Sequence, residues 1–342
     1  MDTLMHAPKT AAKNANAPLL EVSNLSTEFA TYAGTLSAVD GVSLSLQPGE
    51  VFGIVGESGS GKSVTALSIM GLIKKPGRVT GGTVRFKDEA NLLDKTPAEM
   101  RKIRGGQISM IFQEPMTSLN PVFRIGWQIA EVLQIHREMT RTEAWERAIH
   151  LLDRVGIASP AKRAREFPHQ LSGGMRQRVM IAMAMACAPS LLFADEPTTA
   201  LDVTVQAQIL DLMVQLKEED GAAVMLITHD MGVIAEMAQK VAVMYAGVVM
   251  EEATVEELFD SPLHPYTQGL LDSIPRKKSR GQSLKAIPGI VPNLLHLPTG
   301  CRFRDRCAAA HSACALADPP LQTMPNSTRK VRCWLHHPEP PK

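Results

Sequence analysis

VFGIVGESGSGKS, Val51 to Ser63, is the stretch on which the reading of this chain turns. Its apolar half reads as a buried parallel strand, and a helical pattern, VTALSIMGL from Val64 to Leu72, follows it. Between them Gly56, Gly61, Lys62 and Ser63 fill the G-x4-G-K-[ST] spacing of a phosphate loop. Each residue type has a physical reason to be there. Glycine lets backbone N–H groups curl around phosphate oxygens where a β-carbon would collide. Lysine brings a charge to the terminal phosphates, a serine hydroxyl can hold Mg²⁺, and a helix start turns its positive end toward the anion. The candidate nucleotide-binding residues are Gly56, Glu57, Ser58, Gly59, Ser60, Gly61, Lys62, Ser63 and Val64.

The rest of the chain bounds what this loop can serve. With 342 residues there is room for a full α/β core and an appended module. The 36 basic and 35 acidic side chains leave a net charge of +1, so no global field recruits nucleic acid or an anionic membrane. The longest apolar runs, Val179 to Ala188 and Val241 to Met250, reach roughly half of the ~20 residues that span a bilayer. The opening residues 1–18 carry no secretory pattern and read as a loose tail, which leads us to expect a cytoplasmic chain.

Short apolar runs from Leu19 to Leu46 read as strands feeding the phosphate loop, with further strands at Gly81–Phe86 and Ile108–Phe112 and a polar connection between them around Asp94–Arg104. A helical block follows. Thr140 and Glu143 have capping-box spacing, and Trp145, Ala148, Ile149, Leu152 and Val155 make one apolar face before Gly156, with Trp145 read as core packing. Ser172–Ala188 reads as a helix, on which Cys187 is a small buried hydrophobe. Leu191–Ala194 reads as a strand presenting Asp195 and Glu196 at its carboxyl end, where ligands of parallel sheets gather. Another helix carries Val205, Ile209, Leu212 and Leu216, and the strand AAVMLIT runs into His229. Alternating strands and helices give a wound α/β core. From about residue 252 the composition turns rich in proline and basic residues, which marks a separate tail module.

Taken together these motifs resemble the nucleotide-binding subunit of an ATP-binding cassette transporter, from Leu19 to the end of the chain. Leu171–Arg178, LSGGMRQR, is the most discriminating, because it is similar to a signature that other phosphate-loop proteins lack. The resemblance implies a cassette ATPase with a wound parallel-sheet core, antiparallel strands, a helical subdomain inserted at about 114–171 within residues 19–251, and an extension over 252–342. It implies roles as well. Asp195, Ser63 and Gln113 would hold Mg²⁺, Glu196 would polarise the attacking water, and His229 would contact the γ-phosphate. Ser172, Gly173 and Gly174 would address ATP held by a second cassette, Asp202 would lie at the interface of the two, and Phe29, with Tyr32 as the competitor, would stack on adenine.

Cys301, Cys307, Cys314 and Cys333, separated by five, six and eighteen residues, could close one metal site. Their chemistry alone leaves an iron–sulfur cluster, zinc and free thiols open, with His311, His336 and His337 as spare neighbours. The segments EPMTSLNP, HPYTQGLL and IPGIVPNLLHLPTGC resemble the dipeptide and oligopeptide importer branch, which implies a [4Fe–4S] cluster on the four cysteines. The branch also implies a related second ATPase subunit, two membrane permease subunits, an external peptide-binding protein and no nucleic acid, with the chain peripheral on the cytoplasmic side of the inner membrane. A homodimer stays open, and so does import of nickel or another small solute. A soluble cassette ATPase acting on ribosomes or DNA is the rival from another class.

Overall fold

The computed structural model describes residues 17–87, 89–113, 118–199, 201–274 and 286–337. Most of the expected N-terminal tail and the first residues of the helical block, 114–117, lie outside the described residues. In chain order the elements begin β1 (Leu20–Thr31), β2 (Gly34–Leu46), β3 (Val51–Val55), α1 (Lys62–Ile69), β4 (Gly77–Phe86), α2 (Pro97–Ile103) and β5 (Ile108–Ile111). They continue α3 (Ile125–Arg137), α4 (Arg141–Arg154), α5 (Gly173–Met185), β6 (Leu191–Asp195), α6 (Val203–Asp220), β7 (Ala223–Thr228) and α7 (Met231–Met237). The last are β8 (Lys240–Tyr245), β9 (Val248–Thr254), α8 (Val255–Asp260), α9 (Pro265–Asp272), β10 (Gln322–Thr323) and β11 (Lys330–Val331). Among the described residues no helix is long and apolar enough to cross a membrane.

Two sheets organise the chain. β2, β1 and β4 form an antiparallel sheet in that order, and the larger sheet runs β10-β11-β9-β8-β3-β7-β6-β5. In the latter β8, β3, β7, β6 and β5 are parallel, while β9, β11 and β10 add on antiparallel. Its central strands are buried on both faces, which is why they read as unbroken apolar runs rather than alternating ones. Successive side chains nevertheless go to opposite sides. Phe52, Ile54, Phe193, Met225 and Ile227 pack with α1 and the small sheet. Val51, Val55, Leu192, Leu226 and Val224 pack with α5, α6 and the helical block. Burying a side chain such as Phe193 contributes roughly 2–3 kcal/mol, so this sandwich holds the edge of the sheet rigid beneath the site.

The helical block follows its sequence signals. The Thr140 hydroxyl accepts from the Glu143 N–H at 3.4 Å while the Glu143 carboxylate accepts from the Thr140 N–H at 2.9 Å, closing the capping box of α4. Ala148, Leu152 and Val155 are buried, and Trp145 and Ile149 pack against the same core. One expectation fails. The stretch around Asp94–Arg104 is not a plain polar connection but contains α2, opened by a second capping box between Thr96 and Glu99 and seated by buried Met100 and Ile103. The exposed charges of Arg101 and Lys102 dilute its apolar pattern in the sequence.

The segment from residue 252 does not stand apart from the cassette. β11 lies antiparallel on β9, with Lys330 opposite Glu252 and Val331 opposite Glu251. Both glutamates have fully buried side chains. Glu251 is paired with Arg329 at 3.0 Å, and Glu252 with Lys240 at 2.7 Å and Lys330 at 3.1 Å. Buried carboxylates are tolerable only with such partners. Cys301, Phe303, Cys314 and Trp334 join the same buried cluster as Tyr245 and Tyr266.

Candidate active site

The register of the large sheet brings the sequence motifs to one edge. Val55 lies beside Thr228, Asp195 beside Ile227 and Ile111 beside Ala194. Gly56, Glu196, Gln113 and His229 therefore leave the sheet together, at the carboxyl ends of its parallel strands.

The phosphate loop closes over the start of α1. A β-carbon at Gly56 would collide with the Met244 carbonyl and one at Gly61 with the Ala38 carbonyl, and both residues have positive φ, +151° and +100°. The Lys62 ammonium is almost fully buried and donates to the carbonyls of Gly56 at 2.8 Å and Glu57 at 3.0 Å. Burial pulls its pKa below the ordinary lysine value, against the charges of Glu196, Asp195 and Glu57. Among the described residues the buried Ser60 hydroxyl has no hydrogen-bond partner. Ser58 and Gly59 form the exposed tip, and Val64 packs beside the core of the small sheet.

Beside the loop stand the two carboxylates. The Ser63 hydroxyl donates to Asp195 at 2.9 Å, so two of the three expected Mg²⁺ ligands already touch. Burial pushes the Asp195 pKa up, the Ser63 hydrogen bond opposes this and the neighbouring Glu196 charge adds to it. Glu196 diverges from Asp195 as successive residues at a strand end must, and its φ of +46° places a non-glycine residue in the left-handed region. Its carboxylate gathers three donors: the Gln113 amide at 2.9 Å, the Thr199 hydroxyl at 2.8 Å and His229 Nδ1 at 3.2 Å. Burial would raise the Glu196 pKa, but the hydrogen bonds from Thr199 and His229 and the charge of Lys62 outweigh it and hold the group below the usual carboxylate value. Thr199 was not singled out in the sequence, although it lies three residues beyond Glu196 in the same turn.

The signature lies at the start of α5. Ser172 caps that helix, its hydroxyl accepting from the Met175 N–H at 3.3 Å. Ser172 and Gly173 are exposed, and a β-carbon at Gly173 would meet open space. Gly174 is different, because a β-carbon there would press on Val205 of α6. Gln177, buried one turn on, donates to the Pro197 carbonyl at 2.5 Å and so ties the signature helix to the loop that carries Glu196. Asp202 caps α6 by accepting from the Val205 N–H at 2.9 Å. Phe29, half-buried on β1, packs over Gly77 of β4, whereas Tyr32 is fully exposed on the turn between β1 and β2.

The four cysteines lie near one another at the end of the chain. The Cys301 N–H donates to the Cys314 carbonyl at 2.8 Å, and Cys314 lies near enough to Cys301, Cys307 and Cys333 to raise the pKa of each. Among the described residues, however, no group of three or more His, Cys, Asp or Glu is placed to hold a metal ion. Burial pushes the Cys301 pKa up to about 12 and that of Cys333 up to about 11 in the metal-free chain. Cys187 is buried as expected.

Comparison with known proteins gives a consistent picture. A family described as "ABC transporter" matches residues 39–199, and one described as "Oligopeptide/dipeptide transporter, C-terminal region" matches residues 250–314. The chain is 52% identical over 322 residues to the oligopeptide transport ATP-binding protein AppD of Bacillus subtilis, covering 94% of this chain and 98% of that one. It is 51% identical over 318 residues to the oligopeptide transport ATP-binding protein OppD of Haemophilus influenzae, covering 93% and 97%. A solved dimeric structure of MJ0796, a bacterial ABC transporter cassette, is similar at a TM-score of 0.62 and 32% identity, over 69% of this chain and 98% of that one.

Proposed function

Because the chain belongs to the ABC transporter family, as an ATP-binding protein carrying the oligopeptide/dipeptide transporter C-terminal region, we propose that it hydrolyses ATP to drive import of dipeptides or oligopeptides. The observation that carries the hydrolytic part is the Glu196 carboxylate, gripped by Gln113, Thr199 and His229 beside a lysine-bearing phosphate loop.

In this reading MgATP is the substrate. The loop backbone and Lys62 bind its phosphates, and Ser63 and Asp195 take the magnesium ion that arrives with it. Glu196 stays ionised at neutral pH and orients and polarises the attacking water, while His229 and Gln113 fix its carboxylate plane. Phosphoryl transfer needs positioning and charge neutralisation more than covalent help, so these groups are sufficient chemistry for one side of the reaction. The other side comes from a second cassette. Ser172 and Gly173 are exposed at a helix start, where they can address a phosphate held by another chain, and the MJ0796 cassette was solved as a dimer. ATP then closes the pair and hydrolysis reopens it, a two-state element that membrane permease subunits can read. The second cassette is a related chain, the assembly sits on the inner face of the membrane, and an external binding protein delivers the peptide.

The test is ATPase activity of the chain assembled with its permease subunits, with and without binding protein and a panel of peptides. Stimulation by peptide-loaded binding protein is the expected result. Stimulation only by a metal-loaded binding protein would overturn the peptide assignment and keep the ATPase.

The iron–sulfur reading of Cys301, Cys307, Cys314 and Cys333 rests on family resemblance, and no step of hydrolysis passes through it. Under that reading, protein purified without oxygen contains about four iron and matching acid-labile sulfide per chain. Iron-free protein with titratable thiols would end it.

A further inference from the structure

We propose that Arg306, far along the C-terminal extension, is a positioning residue for ATP that neutralises and pins Glu57 of the phosphate loop. The proposal rests on the ATPase reading above and adds a residue from outside the cassette motifs to it.

Glu57 follows Gly56 directly, at the point where the chain turns into the phosphate cradle. Its carboxylate takes a two-pronged contact from the Arg306 guanidinium, Nη1 to Oε1 at 2.9 Å and Nη2 to Oε2 at 3.1 Å. Paired forks of this kind fix geometry as well as charge. The arginine is itself locked. Its side chain is 6% exposed, its Nε donates to the Pro288 carbonyl at 2.8 Å, and its guanidinium lies 5.7 Å from the Tyr245 ring and 5.9 Å from the Phe303 ring. The main chain of Glu57 is held from the same side, since its N–H donates to the hydroxyl of fully buried Tyr266 at 2.9 Å. Tyr266, Tyr245 and Phe303 form one ring cluster with centroids 4.7 to 5.3 Å apart. On its other side the Glu57 carbonyl accepts from Lys62, so the clamp leads straight to the lysine that meets the phosphates.

Charge gives the clamp its consequence for binding. ATP brings several negative charges into a cradle close enough to the Glu57 carboxylate for that charge to act on Lys62, and an uncompensated carboxylate there would repel them. Arg306 cancels that charge without entering the cradle. Even partly screened repulsion of this kind is worth about tenfold in affinity.

The experiment is a calorimetric titration of the full-length chain with MgATP, with steady-state hydrolysis alongside. Arg306→Gln is expected to weaken MgATP binding about tenfold, raising KM with little change in kcat because Arg306 does not reach the reacting atoms. Adding Glu57→Gln to that variant removes the stranded charge and regains most of the lost affinity, which a merely structural arginine would not allow. Arg306→Lys keeps the charge but not the fork, and its affinity falls between wild type and Arg306→Gln. If Arg306→Gln does not fold, the lysine variant carries the test, and affinity equal to wild type would overturn the proposal. A double variant as weak as Arg306→Gln, or weaker, would also overturn it. A wild-type chain with no affinity for MgATP would overturn it together with the ATPase reading.

Discussion

Glu196→Gln stops ATP turnover while leaving ATP bound: phosphate release by the assembled transporter is expected to fall by about 10²- to 10⁴-fold, the contribution of a positioned general base. The argument comes from what surrounds the carboxylate. Gln113, Thr199 and His229 all direct hydrogen bonds at it, and its pKa lies below the usual value, so it is an acceptor for a water proton at neutral pH. An amide of nearly the same shape keeps the site filled but loses the negative charge. Because Glu196 makes no part of the phosphate cradle, MgATP affinity is retained and the closed, ATP-loaded pair of cassettes accumulates. Phosphate release and gel filtration with ATP measure the two halves of this expectation. Undiminished release would remove Glu196 from the role of base.

Lys62→Ala acts one step earlier. The ammonium is buried among the carbonyls of Gly56 and Glu57 and near the charges of Asp195, Glu196 and Glu57, where it is the cation closest to the phosphate cradle among the motif residues. Without it the incoming phosphates lose a charge-assisted partner and face acidic neighbours, and MgATP affinity is expected to drop about a hundredfold. Direct nucleotide binding measures this. Affinity equal to wild type would count against the phosphate-loop reading, while hydrolysis lost without a change in affinity would move Lys62 from binding to chemistry.

What the sequence made legible has a common character: the information was local. The phosphate loop, the signature and the acidic pair each lie within one turn or one strand end, and the strand pattern fixes which edge they share. The α4 capping box is equally local, with its two residues three apart. α2 carries the same signal at Thr96 and Glu99, but its short apolar face of Met100 and Ile103 is interleaved with exposed charges, and so it passed for a loop. Contacts between distant residues left no such trace. Nothing in CRFRDRC points to Glu57, which lies 249 residues away from Arg306, and nothing in the signature helix points Gln177 to Pro197. Cysteine spacing likewise could not reveal how the four thiols lie once Cys301 and Cys314 are buried in the common core.

The completion of the large sheet by β11 bears on how this protein can be inherited. Cut after β9, a transplanted cassette would leave its last strand an open edge, and it would strip Arg329 from Glu251, whose side chain has no exposure at all, and leave Glu252 with Lys240 alone. Stranding a buried carboxylate costs about 3–5 kcal/mol, a large share of the stability of any domain. Recombination that joins the cassette of one importer to the extension of another must therefore preserve both sides of the β9–β11 seam. The unit that can travel between genes intact is the whole chain from the first strand of the small sheet to the last strand of the large one.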